Sequence, residues 1–312
     1  MEYVLRRIIA TLPVMLVVSV IVFLMIHLAP GDPVLLIVGD FATPEQIQQT
    51  RVALGLDQPL WHQFFTWSGR VLQGNLGTSL FNQMPVTQLI GQRVEATLSI
   101  TFFTIVIAVS LSIPMGVLAA HRAGSWIDRL VMVFAVIAFS MPVFMTGYLL
   151  VYTFALKLQW LPVQGYRPMS EGIGMYLKHL ILPCVNLGLL YTALLTRMTR
   201  AAMLEVLHED YIRTARAKGL GVLPVLGHAL RNAAIPIVTT IGVGIALLLG
   251  GVVVTETVFA IPGLGSLVVD AVQHHDYPVI QSLLLLSAAT YVLINLLIDL
   301  SYGLFDPRIK NQ

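Results

Sequence analysis

Residues 209–221 read Glu209-Asp210-Tyr211-Ile212-Arg213-Thr214-Ala215-Arg216-Ala217-Lys218-Gly219-Leu220-Gly221. Five of these thirteen residues are charged, in a chain of 312 residues that is only 11% charged and 57% hydrophobic. The mean hydropathy of +0.83 is not that of a soluble globular protein, in which about 25% of residues are charged. Charges continue around the run: Arg200, Glu205 and Arg231 flank it. Each would cost about 2.5–3.5 kcal/mol at the centre of a membrane helix, so residues 199–232 must lie outside the hydrocarbon. The segment is nonetheless helix-prone. Residues 201–218 contain no Gly or Pro and many Ala, Leu, Glu and Arg, which predicts one helix ended by a left-handed cap at Gly219. Asp210 and Arg213 form an i, i+3 pair. Ala215, Ala217 and Gly219 leave little bulk, so a partner surface could approach the backbone. Two readings stay open on these residues: a solvated loop helix near lipid headgroups, or a docking helix for a soluble cytoplasmic partner.

Outward from the run, the chain is dominated by apolar windows at 8–29, 96–120, 130–156, 180–196, 233–255 and 279–302. A helix needs about 20 apolar residues to cross a bilayer, so six spans are predicted in an all-α integral membrane protein. The fourth window is the shortest and contains Pro183, tolerable where neighbours satisfy the freed carbonyl. Arg6 and Arg7 precede the first window as in a signal peptide. The run is too long for that, no small-x-small site follows, and Pro30-Gly31-Asp32-Pro33 reads as a turn after a retained span. Six spans put both termini on one side. Of the 18 Lys and Arg residues, 12 fall in segments on that side and 6 on the other. The positive-inside rule then makes it the cytoplasm, N-in and C-in, with residues 209–221 facing it.

The chain divides into residues 1–29, an extracytoplasmic loop or platform 30–95, and a five-helix core 96–312. In the platform, Thr43, Pro44 and Gly55 bracket a short helix. A second, at about 59–72, places Leu60, Phe64, Phe65 and Val71 near one face, with Trp61 and Trp67 suited to the membrane interface. Gly74, Gly77 and Pro85 break the remainder, which is too short for a catalytic domain. Ser140-Met141-Pro142 predicts a kink in the third span.

Other constellations bound the function. No G-x-x-x-x-G-K-[ST] pattern occurs, so this chain carries no ATP site of that type. The single cysteine, Cys184, excludes an internal disulfide and a multi-cysteine metal site, and reads as a small buried side chain. His274-His275-Asp276 lacks helical ligand spacing and reads as a polar loop; no metal is assigned. His27 suits helix packing at the outer end of the first span. Asp299, in the last span, is either functional or an interfacial anchor. Glu256, with Pro262, Gly263 and Asp276, is a candidate for an outer gate or a binding-protein contact, a structural turn contact being the alternative. The scarcity of acidic residues at mid-membrane counts against an ion-coupled carrier. The absence of G-x-S-x-G and H-E-x-x-H counts against an intramembrane enzyme.

The run from Met203 through Tyr211 to Gly219 resembles the cytoplasmic coupling segment of ABC-importer permeases, above all the dipeptide/oligopeptide/nickel type. His228-Ala229-Leu230-Arg231-Asn232-Ala233 with Ile235-Pro236 continues it. Pro30-Gly31-Asp32-Pro33, Leu54-Gly55-Leu56-Asp57 with Pro59, Gly74-Asn75-Leu76-Gly77, Pro262-Gly263-Leu264-Gly265 and Asp276-Tyr277-Pro278-Val279 match in the same order, over nearly the whole chain. Arg213 and Thr214 stand where the wider motif has Glu and its first Ala, and Asn232 stands in a proline position; the peptide-type branch shows these substitutions.

The resemblance implies a type I importer permease fold with an external helical insertion after the first helix. It implies ATPase coupling through Glu209, Asp210, Tyr211, Arg213, Thr214, Ala215, Arg216, Ala217, Lys218 and Gly219. It further implies a second permease subunit, two ATPase subunits carrying ATP and Mg, and an extracytoplasmic substrate-binding protein. No cofactor in this chain and no nucleic-acid partner is implied. The setting would be a bacterial inner membrane and the cargo di- or oligopeptides, with glutathione, nickel chelates and opine-like compounds as alternatives.

Overall fold

The computed structural model describes residues 2–28, 34, 43–53 and 55–305. The expected Pro30–Pro33 turn, and Arg308 and Lys310 from the charge count, lie outside the described residues. Among the described residues the protein is helical, with a single isolated bridge between Thr78 and Pro85.

Helix α1 spans Glu2–Leu28. Two platform helices follow, α2 (Pro44–Ala53) and α3 (Leu60–Leu72). Thr43 Oγ1 accepts from Gln46 N at 3.3 Å while the Gln46 side chain accepts from Thr43 N at 2.9 Å, a reciprocal cap that starts α2. Gly55, at φ +71°, follows its end. Phe64 and Trp67 of α3 pack around Phe23 of α1. His27 Nε2 lies 3.0 Å from Gln63 Oε1. Helix α3 therefore rests on the C-terminal end of α1.

The core consists of α4 (Val86–His121), α5 (Trp126–Ser140), α6 (Val143–Leu150, prolonged by one π-helical stretch Val151–Lys157), α7 (Ile173–Leu207), α10 (Ala234–Val258) and α12 (Tyr277–Phe305). Shorter helices α8 (Asp210–Ala217), α9 (Val222–Asn232) and α11 (Leu264–Gln273) lie between them. Among the described residues four helices are long and apolar enough to cross a membrane, or six spans if each of two bent pairs counts as one. One pair is Trp126–Ser140 with Val143–Lys157, bent by 102°; the other is Val222–Asn232 with Ala234–Ala246, bent by 58°. The first bend falls at Met141-Pro142, where proline cannot donate to the helical ladder and disfavours helix in the residue before it.

Helix α7 is the central element. The shortest apolar window of the sequence lies inside this 35-residue helix, because amphipathic turns extend it at both ends. It packs along α4 on a row of mostly small residues. Ala96, Ile100, Thr104, Ala108, Ser112, Gly116 and Ala120 recur every fourth position and are buried. Residues four apart are neighbours on a helix, so these form a continuous ridge that winds round α4, and its mostly small side chains let two backbones approach closely where lipid offers no hydrophobic drive. A Cβ on Gly116 would fall 2.6 Å from Thr199 Cβ. On the other side of α7, a Cβ on Gly244 of α10 would fall 1.8 Å from Tyr191 Cε2. That glycine admits the ring, whose hydroxyl donates to the Ile241 carbonyl.

Helices α1 and α12 pair with each other. Gln281 Nε2 donates to the Val22 carbonyl at 3.0 Å, and Arg7 meets Asp299 at 3.1 Å. Asp299, open between function and anchorage in the sequence, is in this structure an inter-helix ion-pair partner.

Candidate coupling site and the clamps around it

The charged run does not form one helix from 201 to 218. Helix α7 ends at Leu207, the chain turns through His208 and Glu209, and α8 starts at Asp210. Glu209 has extended backbone, φ −67° and ψ 148°. Propensity favoured continuity; burial decided otherwise, since the turn lets Ile212 reach the core. Ile212 is fully buried, with Met203, Leu207, Val225 and Ala229.

Around this anchor the sequence-derived coupling residues fall mostly on the outside. Tyr211, Arg213, Thr214, Arg216, Ala217, Lys218 and Gly219 are exposed, and Ala215 is half-buried. Arg213 Nη1 lies 3.2 Å from Asp210 Oδ1, in solvent on both sides, and Thr214 Oγ1 donates to the Asp210 carbonyl at 3.0 Å. Gly219 has φ +80°, and its N–H donates to the Arg216 carbonyl at 2.9 Å, which closes α8 in the left-handed conformation that favours glycine. Asn232, at the end of α9, donates to the Tyr211 hydroxyl at 2.6 Å. The structure thus brings the ten coupling candidates together, seven within one short helix and Glu209, Lys218 and Gly219 at its ends, standing on a buried isoleucine.

The outer-face candidates are placed differently from one another. The sequence puts Glu256 just outside the fifth apolar window, but α10 runs on to Val258 and carries Glu256 into the interior, fully buried. Its Oε1 accepts from Thr97 Oγ1 at 2.6 Å and its Oε2 from Ser266 N at 2.8 Å. The carboxylate so caps the N-terminus of α11, where unpaired N–H groups and the helix dipole favour negative charge. Gly263 is needed there: a Cβ would lie 2.0 Å from Glu256 Oε1. Pro262 is exposed beside it. Asp276, beyond the other end of α11, is 2% exposed. It accepts from Ser79 Oγ and from Leu80 N at 3.1 Å, tying the platform to the start of α12. Glu256 and Asp276 therefore present no free carboxylate to a docking protein. His274 stacks on Phe81, ring centroids 3.9 Å apart. Burial pushes the Tyr166 hydroxyl up to about 12, so it remains a proton donor to Glu95, 3.0 Å away.

Sequence reasoning missed two features. Asp128, 4% exposed, takes a two-pronged contact from Arg200 of α7: Nε to Oδ1 at 2.6 Å and Nη2 to Oδ2 at 2.8 Å. The available signal was the Ser125-Trp126-Ile127-Asp128 spacing, a helix start that leaves a carboxylate beside an apolar run. Asn186 links three helices, accepting from Thr146 Oγ1 at 2.6 Å and donating to Thr255 Oγ1 at 3.3 Å. Nothing in the linear sequence pairs those three positions.

This architecture is that of an all-helical multi-pass membrane protein whose central helix is followed by a short, largely exposed helix. Residues 112–311 match the family described as binding-protein-dependent transport system inner membrane component, and residues 1–101 match its N-terminal counterpart. The chain belongs to this family, the membrane-spanning subunits of ABC importers, and is a transporter component, not an enzyme. It is 50% identical over 309 residues to the probable peptide ABC transporter permease protein y4tP of Sinorhizobium fredii (strain NBRC 101917 / NGR234), covering 99% of each chain. It is 43% identical over 311 residues to the glutathione transport system permease protein GsiC of Escherichia coli (strain K12), again covering 99% of each. Among solved structures, the inward-facing MetNI methionine ABC transporter superposes with a TM-score of 0.59 at 20% identity, over 70% of this chain and 97% of that one. That likeness establishes a shared type I importer permease fold. Members of such a family work with ATPase and binding-protein partners.

Proposed function

We propose that this chain is one of two permease subunits of an ATP-driven importer for di- or oligopeptides in a bacterial inner membrane. Six spans, with both bent pairs counted, would place both termini and α8 in the cytoplasm. Two ATPase subunits would hold ATP and Mg, and an external binding protein would deliver cargo near the platform and α11. Helix α8, residues 210–217 with Glu209, Lys218 and Gly219 at its ends, is the ATPase-docking element. The observation that carries this reading is its construction: Ile212 and Ala215 hold the helix to the core while the remaining side chains face outward. ATP-driven closure of the ATPases would push on α8, and α7, two residues upstream, would carry the movement into the bundle. Transport then proceeds by alternating access.

Peptide cargo is supported by the relative named as a peptide permease, and glutathione, itself a peptide, by the second relative. Uptake of labelled dipeptides, tripeptides and glutathione by cells with and without this gene tests the cargo. Loss of peptide uptake on deletion is expected; unchanged uptake of all three contradicts the reading. Gly219→Trp tests the docking element. It should lower ATPase co-purification and transport together, and intact co-purification would overturn the assignment of α8.

A further inference from the structure

The geometry points to the Asp128–Arg200 pair as a positioning device that makes α5 move with the helix bearing α8; the inference rests on α8 being the ATPase-docking element. The pair sits at the end of the bundle that carries α8. Arg200 is two turns from the end of α7 at Leu207, about 10 Å along the axis at 1.5 Å per residue. Asp128 lies in the first turn of α5, immediately after the tight turn at Gly124, which has φ +78°. Its carboxylate is fully engaged. Besides both prongs from Arg200, it accepts from Gly124 N at 2.9 Å, and Ser125 Oγ accepts from Asp128 N at 3.4 Å. One side chain thus fixes the α4–α5 turn, the start of α5 and the end of α7.

The rest of the α5–α7 contact does not fix direction in this way. It includes the apolar cluster of Ala135, Ala138 and Ala193 with Phe134 packed against it, and Arg197 over the Phe139 ring at 5.9 Å. Small apolar faces slide easily. A planar guanidinium fork on a carboxylate does not, because both bonds demand one relative orientation. A buried ion pair is weak as a source of stability but well suited to setting register. Beyond α5 the chain bends by 102° into α6. There Thr146 bonds to Asn186, and Gly147 sits so close to α10 that a Cβ would lie 3.1 Å from Val258 Cγ1. A push on α8 would travel along α7, which touches α6 and α10 directly through Asn186 and Tyr191, and would reach the start of α5 through the fork.

The test uses the complete importer in lipid vesicles, with spin labels on cysteines at Val136 of α5 and Val243 of α10. Both positions are over half exposed, and Cys184, 1% exposed, is out of a label's reach. In the parent complex, trapping with ATP and vanadate should shift the label–label distance relative to ADP. Asp128→Asn should abolish the shift while the ATPases stay bound and hydrolyse ATP. Arg200→Lys, which keeps the charge and loses the fork, should restore only part of it. A merely structural role would reduce the amount of complex, not the shift within assembled complexes. An unchanged shift in both variants overturns the inference, as does a parent complex whose labels do not move. Failure of both variants to assemble also overturns it, because the pair would then be a fastener of the fold. Gly219→Trp separates the two claims: if it leaves the ATPases bound, the docking reading itself fails, whereas a normal shift in Asp128→Asn removes this inference alone.

Discussion

Asn232 Nδ2 donates to the Tyr211 hydroxyl at 2.6 Å, across a gap of twenty-one residues. The bond ties the end of α9 to the first turn of α8, in an exposed place where packing contributes little. A hydrogen bond of this kind is worth about 0.5–1.5 kcal/mol, enough to bias an angle and too little to hold a fold. Tyr211→Phe and Asn232→Ala should each leave assembly intact and reduce transport-coupled ATP hydrolysis by less than about ten-fold, since 1.4 kcal/mol is a factor of ten. The double variant should be no worse than the weaker single one. Purified-complex ATPase assays check this; additive losses would show that the two side chains act separately.

Ile212 is the anchor of α8, so its truncation should be far more damaging. Removing a buried Ile side chain to Ala costs about 2–5 kcal/mol, against a helix of eight residues that is too short to persist alone. Ile212→Ala should release α8 from α7 and α9. Protease should then cut within 208–220 in membranes, with the spans still inserted. Resistance equal to the parent protein would contradict the anchoring role.

Gly219 should be sensitive to backbone shape even where the new side chain is small. Within this chain a Cβ there meets nothing within 4 Å, so the effect of a small substituent on α8 itself arises from φ +80°. A left-handed conformation costs a non-glycine residue about 1–2 kcal/mol, less for Asn. Gly219→Asn should bind the ATPases better than Gly219→Val in a co-purification assay. Equal retention would mean that the cap does not set the geometry of α8.

Glu256 and Gly263 should be coupled. Gly263→Ala drives a methyl group into the carboxylate, and Glu256→Ala leaves the Thr97 hydroxyl and the Ser266 N–H without their buried acceptor, at about 1–3 kcal/mol for each unmet group. Both single variants should lower the thermal unfolding temperature of the purified subunit complex. In the double variant the clash is absent, so the combined loss should be smaller than the sum. Strict additivity would contradict the contact.

The apolar windows made the spanning helices legible, because hydrophobic length is a local property of sequence. Pro142 marked the bend and Gly219 the end of α8 for the same reason: each imposes a backbone geometry without reference to distant residues. The break at His208 and Glu209 was not legible. Nothing in residues 201–218 disfavours helix, and only burial of Ile212 against Val225 and Ala229 turns the chain. Glu256 shows the same limit. A carboxylate next to an apolar window reads as exposed, yet partners 159 residues away at Thr97 and 10 residues on at Ser266 draw it inside. Asp128 and Arg200 lay in separate segments, 72 residues apart, and only the packing of α5 on α7 brings them together.

The most direct measurement is a gentle detergent purification of the chain from its native membrane, with bound proteins identified and counted by mass spectrometry, for the parent protein and for Ile212→Ala. The parent protein should carry a second homologous permease and two ATPase subunits, and Ile212→Ala should retain the permease and lose the ATPases. A parent chain that purifies alone and still transports, or an Ile212→Ala complex with its ATPases fully retained, would contradict the role given to α8.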